Sequence, residues 1–178
     1  MYIYTLFNVI VAILVIIAVF YLAFRIYAWR QGDEAITMLT KRRTPFVLED
    51  ENFHQVVLVS DIPFVNKGRQ NGTIMDLYPR HLMPQEQFDN VLIQSWTTDA
   101  NAERHDGYWK AQIIETRKGG TVRLRLIFTA KNGNIHKDLN GFPDMNIDIV
   151  YQVVGRSDWH ISKNRITLTA EELQQALR

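Results

Sequence analysis

The first 24 residues of the chain contain no charged side chain, and valine, isoleucine, leucine, alanine and phenylalanine dominate them. At about 1.5 Å of rise per residue, a helix of this length covers roughly 36 Å and can cross a hydrocarbon core about 30 Å thick. A cleaved signal peptide would have a basic start and a shorter apolar core, and this run has neither. The pattern therefore predicts an uncleaved transmembrane anchor over residues 1–28.

The basic residues that flank the apolar run all lie on its C-terminal side. They are Arg25, Arg30, Lys41, Arg42 and Arg43. The positive-inside rule then predicts a cytoplasmic domain and an N-terminus outside the cytoplasm. All five side chains are expected near the membrane, with Lys41, Arg42 and Arg43 near lipid phosphates. The alternative is a domain on the exported side, since β-rich domains behind single anchors are often exported.

Residues 29–44 are predicted to form a basic juxtamembrane helix or linker. Apolar residues recur at helical spacing over 33–43, Asp33 is placed to cap a helix, and Thr44 before Pro45 ends the segment. This helix would lie on the bilayer surface or would be a solvated linker, and the sequence leaves both open.

From Pro45 onward, runs of β-branched and aromatic residues alternate with clusters of glycine, asparagine, aspartate and proline, which is typical of an all-β domain. Apolar and polar positions alternate cleanly in 121–131 and 145–154, so that each strand is expected to have one buried and one solvent-exposed face. We predict an immunoglobulin-like antiparallel β-sandwich over 45–178. A capping-box pattern at Thr169–Glu172 predicts a short C-terminal helix. The predicted strands are 55–65, 73–78, 90–96, 108–116, 121–131, 145–154 and 165–169.

Composition excludes several classes of function. Residues 45–178 hold 15 basic and 17 acidic side chains with no basic run, so nucleic acid is not an expected partner. The chain has no cysteine, which excludes disulfides and thiolate metal sites. Its five histidines and its serines lack the spacing of zinc or hydrolase motifs, so we expect a non-enzymatic protein with no metal and no cofactor.

Two long polar loops are the candidates for binding. Segment 99–107 alternates oxygen-bearing side chains, but Arg104 and Lys110 stand where a calcium loop needs glycine and glutamate, so a polar loop is favoured. Segment 134–144 follows an Asn-Gly turn and is longer than most connections, which is often a functional sign. The candidate residues are Asp99, Asn101, His105, Asn134, His136 and Asp138.

Strand alternation predicts which connections share an end of the domain. If the seven strands alternate in direction, the membrane-distal connections are 66–72, 97–107 and 132–144. The membrane-proximal ones are then 79–89, 117–120 and 155–164, and these carry more basic residues. A membrane-proximal end with basic residues suits a domain that stands on an anionic leaflet.

The sequence thus predicts a membrane-anchored, non-enzymatic interaction or scaffold module of a cell-envelope complex. Its expected partners are the lipid bilayer and another membrane or envelope protein, which the distal loops would bind. The alternative is a membrane-tethered sensor of a small ligand or ion that uses the loops 99–107 and 134–144.

Overall fold

A long apolar helix precedes the folded domain. The computed structural model describes residues 2–84, 86–104, 106–156 and 158–178, and its first element is α1 (Tyr2–Gln31). At 1.5 Å per residue this helix is about 45 Å long. Its length and apolar composition are sufficient to span a membrane, and its most apolar window is not buried against the domain. An apolar helix of membrane-spanning length is therefore confirmed.

Two antiparallel sheets follow the helix. The five-stranded sheet consists of β1 (Ile36–Met38), β2 (Val47–Glu51), β3 (Gln55–Asn66), β5 (Val91–Asp99) and β7 (Gly119–Ala130). The four-stranded sheet consists of β4 (Gly72–His81), β6 (Gln112–Ile114), β8 (Met145–Val154) and β9 (Trp159–Leu168). The strand order is β1–β3–β7–β5, with β2 also paired to β3, in the first sheet and β6–β4–β8–β9 in the second. The predicted antiparallel β-sandwich is confirmed at this level.

The core lies between the sheets and is built from alternate residues of their strands. In β7 the predicted inward face is fully buried, and the same alternation runs through β8. Phe128 of β7 packs edge to face on Phe142, with ring centroids 5.5 Å apart. The buried residues of β7 and β8 that form this core are Val122, Leu124, Leu126, Phe128, Met145, Ile147, Ile149, Tyr151 and Val153.

Two short helices complete the domain. The helix α2 (Ile135–Asp138) interrupts the long connection before β8, and α3 (Ala170–Ala176) follows β9. Thr169 caps α3, since its side chain accepts a hydrogen bond from the Glu172 backbone N–H at 3.1 Å. The C-terminal helix is confirmed, whereas the sequence analysis did not predict α2.

The predicted juxtamembrane helix over 33–43 is wrong. Residues 36–38 form β1 and pair with Phe64, Val65 and Asn66, and only Thr40–Arg42 form a 3-10 turn. Ile36 and Met38 are two residues apart, so a strand places both on one face, and they are 5% and 3% exposed. Burial against the sandwich overrides the helical spacing, and the domain begins before Pro45.

The strand β2 was also not predicted, and it changes which loops share an end. Because β1 and β2 both run antiparallel to β3, the chain travels the length of the sheet before β3 begins. We name the two ends by their position relative to α1. The helix-proximal end comprises the end of α1 and connections 67–71, 100–111, 115–118 and 155–158. The helix-distal end comprises connections 52–54, 82–90, 131–144 and the segment 169–178.

Half of the connections consequently lie at the end opposite to the one predicted from strand alternation. Segments 66–72 and 97–107 were expected to be distal and are helix-proximal, and 79–89 was expected to be proximal and is helix-distal. Because β1 and β2 carry the chain along β3 first, β3 starts at the helix-distal end and the connections that follow it are exchanged between the ends. The short strand β6 does not cross the sheet, so the connections after it lie at the predicted ends. Segments 132–144 and 117–120 lie at the predicted ends, and 155–164 is a short proximal turn followed by the first half of β9.

Candidate functional site

The two groups of candidate residues lie at opposite ends of the sandwich. Asp99 ends β5 at the helix-proximal end, with Asn101 in the turn that follows it. Asn134, His136 and Asp138 lie in or beside α2 at the helix-distal end. His105 lies outside the described residues. The structure therefore does not bring the six residues into one surface.

Asp99 is used to hold its own loop. One carboxylate oxygen accepts the Asn101 backbone N–H at 3.0 Å, and the other accepts a hydrogen bond from the Gln112 side chain. The Asp99 carbonyl accepts the Ala102 N–H at 3.1 Å, which closes the turn. Among the described residues, no three histidine, aspartate or glutamate side chains converge on a point that could hold a metal ion.

Glu103, in the same loop, belongs to a ladder of charges on the outer face of the five-stranded sheet. It pairs with Arg123, which also binds Asp61 through bonds of 2.8 and 2.9 Å. Arg125 alongside binds Glu49 through two bonds of 2.6 Å. The hydrogen bonds that Arg123 and Arg125 donate to these carboxylates raise the pKa of both arginines. The ladder fixes the proximal loop to the sheet.

A cavity of about 340 Å³ remains beside that loop. Its lining carries both signs of charge and one exposed aromatic ring. The lining residues are Thr98, Asp99, Ala102, Glu103, Arg104, Tyr108, Lys110 and Gln112.

At the distal end, two of the three candidate residues have structural partners. Asn134 caps α2, since its side-chain oxygen accepts the Lys137 N–H at 3.1 Å. Asp138 is only 3% exposed and accepts two hydrogen bonds from Asn132, from the backbone N–H at 2.8 Å and from the side-chain amide at 3.2 Å. His136 is exposed and pairs with Glu51 at the end of β2. Asp138 therefore holds the loop closed.

An open groove of about 550 Å³ lies between α2 and α3. Leucines form its apolar floor, and amide, imidazole and basic side chains form its rim. Only part of this groove could be predicted from the sequence, because it depends on how α3 packs on the loop. The spacing of Leu173 and Leu177 at i and i+4 was the available signal. The lining residues are Asn134, His136, Lys137, Leu139, Asn140, Leu173, Gln174, Leu177 and Arg178.

Arg43 and Glu172 hold α3 in place beside this groove. The two side chains form two bonds of 2.7 Å, and Glu172 also accepts the Phe46 N–H at 2.8 Å. Burial alone would raise the pKa of Glu172, but the hydrogen bonds from Arg43 and Phe46 outweigh it, and the pKa lies below its ordinary value. Arg43 was predicted to face lipid phosphates and is instead an internal ion-pair partner.

The other predicted basic residues divide between two elements. Arg25 and Arg30 lie in the last turns of α1, and Lys41 and Arg42 are exposed in the 3-10 turn after β1. The five basic residues thus do not form one cluster.

The end of α1 contacts the helix-proximal connections directly. Arg69 donates to the Arg30 carbonyl at 3.2 Å, the Gln70 side chain donates to the Gln31 carbonyl at 3.4 Å, and Arg156 binds the Gln31 side chain. No spacer of free chain separates the apolar helix from the sandwich.

The charges of the two ends differ in sign. Residues 25–35 with the proximal connections hold nine basic and six acidic side chains. The helix-distal connections with residues 169–178 hold three basic and six acidic ones. The helix-proximal end thus has a surplus of three basic residues and the helix-distal end a surplus of three acidic ones, although several of these loops were predicted to lie at the other end.

No protein-family model matches the chain. Among solved structures, the GAE domain of yeast GGA1 is 10% identical, covers 75% of this chain and 98% of its own, and has a TM-score of 0.36. The GAE domain of GGA2p from Saccharomyces cerevisiae is 11% identical over 76% and 99%, with a TM-score of 0.36. A protein from Archaeoglobus fulgidus is 10% identical over 77% and 96%, with a TM-score of 0.32. Similarities this weak carry no argument about function.

Proposed function

We propose that this protein is a membrane-anchored, non-enzymatic interaction module of a cell-envelope complex, and that its distal groove docks a partner protein. The observation that carries the proposal is the groove between α2 and α3, at the opposite end of the domain from α1. A site there would be held away from a bilayer that α1 crosses and would be open to other proteins.

The composition of the groove favours a protein segment as its occupant. Leu139, Leu173 and Leu177 provide an apolar floor, and His136 and Gln174 stand on a polar rim. An apolar centre within a polar rim is the usual organisation of protein interfaces. The groove is open rather than enclosed, so it suits an extended or helical segment better than a small molecule. Lys137 and Arg178 on the rim favour a segment with acidic residues.

The proposal includes a single-pass anchor with the domain in the cytoplasm. The apolar helix α1 supports the anchor by its length and composition. The position of every flanking basic residue after the apolar run supports the orientation.

We further infer that the sandwich is immunoglobulin-like. The order β1–β3–β7–β5 corresponds to strands A, B, E and D of a constant-type domain, and β4–β8–β9 corresponds to C, F and G. The short strand β6 beside β4 is an addition to that plan. This topology supports a binding role only indirectly, because one fold serves many functions.

Site-specific photo-cross-linking in native membranes tests the groove. A photoreactive amino acid replaces Gln174 on the rim, and in a matched control it replaces the exposed Gln94 of β5. We expect a discrete protein adduct from position 174 and none from position 94. The adduct should disappear in a chain that also carries Leu177→Asp and persist with Leu92→Asp, a change at an exposed leucine elsewhere. Equal adducts from both positions would overturn the proposal.

The cavity of about 340 Å³ beside the loop 99–107 favours the second candidate, a membrane-tethered sensor of a small ligand. A ligand at 100 times its dissociation constant should stabilise the native state by about 2.7 kcal/mol. Thermal melting of the full chain against a metabolite and ion library separates this candidate from the first. Stabilisation that Lys110→Ala abolishes would favour the sensor.

A further inference from the structure

The outer face of the four-stranded sheet is apolar at its helix-proximal edge. In the strand register, Ile113 of β6 lies opposite Thr73, Thr73 opposite Val154, and Val154 opposite Trp159. Register partners point to the same face of a sheet, and neighbouring strands are about 4.8 Å apart. These four residues therefore form one continuous row across the sheet, which we call the proximal apolar row.

The row presents large apolar side chains to solvent. Ile113 is 72% exposed and Trp159 is 57% exposed, and Ile161, two residues further along β9 on the same face, is 61% exposed. Exposed apolar surface of this kind on a folded domain marks a contact with another body. Within the fold, alternation places the sequence neighbours of these residues, such as Ile74 and Val153, in the core.

The length of α1 determines how far this row lies from a bilayer. The last residue of the uncharged run is Phe24, and the helix contacts the domain through Gln31, seven residues or about 10 Å later. The headgroup layer on each side of a bilayer is about 5–8 Å thick. A domain attached at Gln31 therefore begins at the outer edge of the headgroups. Gly155 is packed against Glu34, which places the start of β9 at this level.

Charge complements the apolar row. The helix-proximal end carries a surplus of basic residues, and Arg69, Arg117 and Arg156 belong to its connections. Each basic residue near an anionic leaflet contributes attraction that falls off within about 10 Å. Tryptophan is enriched at membrane interfaces. Apolar, aromatic and basic groups thus coincide at the one end that α1 brings to the headgroups.

We propose that the domain rests on the bilayer surface through the proximal apolar row and the neighbouring Ile161, with Trp159 and Ile161 inserted among anionic headgroups. This inference rests on the proposed anchoring by α1 but is independent of the distal groove. It fixes the domain against the membrane, so that the distal groove is presented at a constant height and direction.

Lipid-based quenching in the full chain tests the proposal. The chain has no cysteine, so Ile161→Cys creates one labelling site for an environment-sensitive fluorophore. Phe53→Cys is the matched control, since Phe53 is equally exposed at the helix-distal end. Each labelled chain is placed singly in nanodiscs of phosphatidylcholine and phosphatidylglycerol that contain headgroup spin-labelled lipid. We expect several-fold stronger quenching and a blue-shifted emission at position 161.

Three outcomes decide the matter. Equal quenching at positions 161 and 53 would overturn the proposal. Quenching at 161 that falls when Trp159→Ser and Ile113→Ser are added, or when phosphatidylglycerol is omitted, would support it. Protection of position 161 only in nanodiscs with two chains would assign the row to a second copy and overturn it. Cross-linking at Gln174 and resistance of the chain to carbonate extraction report separately on the partner and on the anchor.

Discussion

Arg43 and Glu172 are joined across 129 positions of the chain by two parallel bonds, Nη1 to Oε1 and Nη2 to Oε2, each 2.7 Å long. Arg43 also donates to the Thr167 carbonyl at 3.0 Å, and its guanidinium lies 5.0 Å from the centroid of the Phe46 ring. The segment that leads into the sandwich is thereby fastened to its last helix. Because α3 forms one wall of the distal groove, this ion pair links the start of the domain to the shape of the proposed binding site.

Glu172→Gln should lower the free energy of unfolding by about 2 kcal/mol at pH 7, since it weakens charge-assisted hydrogen bonds at a largely buried position. Glu171→Gln, at the exposed neighbour, should change it by about 0.5 kcal/mol or less. Chemical denaturation of the full chain in detergent, followed by circular dichroism, measures both. Equal effects would show that the pair adds no stability.

The lowered pKa of Glu172 determines how the difference in unfolding free energy between the native chain and Glu172→Gln depends on pH. A carboxyl whose pKa is lower in the folded state stabilises the fold fully above its unfolded pKa of about 4.5. The contribution is lost as the pH falls through the lower folded pKa. The stability gap between the native chain and Glu172→Gln should therefore be constant near neutrality and should close in acid. A gap that widens in acid would contradict the assignment.

The β-sandwich could be predicted from the sequence because its central strands alternate cleanly, as β7 and β8 do. The first two strands could not, because β1 is three residues long and β2 is polar and fully exposed at a sheet edge. Their short pairing with β3 depends on tertiary contact rather than on local pattern. That single omission reversed the assignment of the loops to the two ends. The distal groove was missed for the same reason, since two elements distant in sequence form it.

Asp138→Ala should destabilise the domain by about 1–3 kcal/mol, because it removes a buried carboxylate that accepts two hydrogen bonds from Asn132. Asn101→Ala should have an effect of about 0.5 kcal/mol or less, since Asn101 is an exposed turn residue. Both were sequence candidates for binding, and melting of the two variants distinguishes a structural residue from a surface residue. A neutral Asp138→Ala would mean that the hydrogen bonds of this carboxylate to Asn132 add no stability.

A fragment that begins at Gly32 should fold as a β-rich monomer, and one that begins at Arg43 should be less stable by about 3 kcal/mol or more. The shorter fragment lacks β1 and exposes the core sites that Ile36 and Met38 fill. Circular dichroism and urea denaturation of the two fragments measure the difference. Identical midpoints would mean that β1 contributes nothing to the sandwich.

The positive-inside argument predicts that protease added to intact cells leaves residues 44–178 uncut and that lysis makes them accessible. An added run of lysines before Tyr2 should weaken or invert this orientation, whereas an equal run of glutamines should not. Immunoblotting of a C-terminal tag gives the readout. Digestion of the tagged domain in unlysed cells would place it on the exported side.

Two glycines at the junction of α1 and the sandwich should respond differently to alanine. A Cβ at Gly68 would lie 2.4 Å from the Asp33 carbonyl oxygen and 2.5 Å from the Ala35 nitrogen, and backbone atoms there have no rotamer by which to move away. The residues on either side of Gly68 bind the same segment, since Arg69 N–H donates to Asp33 O at 3.0 Å and Lys67 N–H donates to Ala35 O at 2.9 Å. Gly68→Ala must separate these two segments.

The three atoms nearest to a Cβ at Gly155 would all belong to the carboxylate of Glu34, with Oε2 at 1.7 Å. Within the described part of the chain that buried oxygen has no hydrogen-bond partner, so turning it out to water costs little. We expect Gly68→Ala to destabilise the domain by about 1–3 kcal/mol and to make residues 32–36 susceptible to protease, and Gly155→Ala to do neither. Limited proteolysis with mass spectrometry locates the cuts. Equal susceptibility in the two variants would mean that the backbone packing of Gly68 does not hold the helix to the domain.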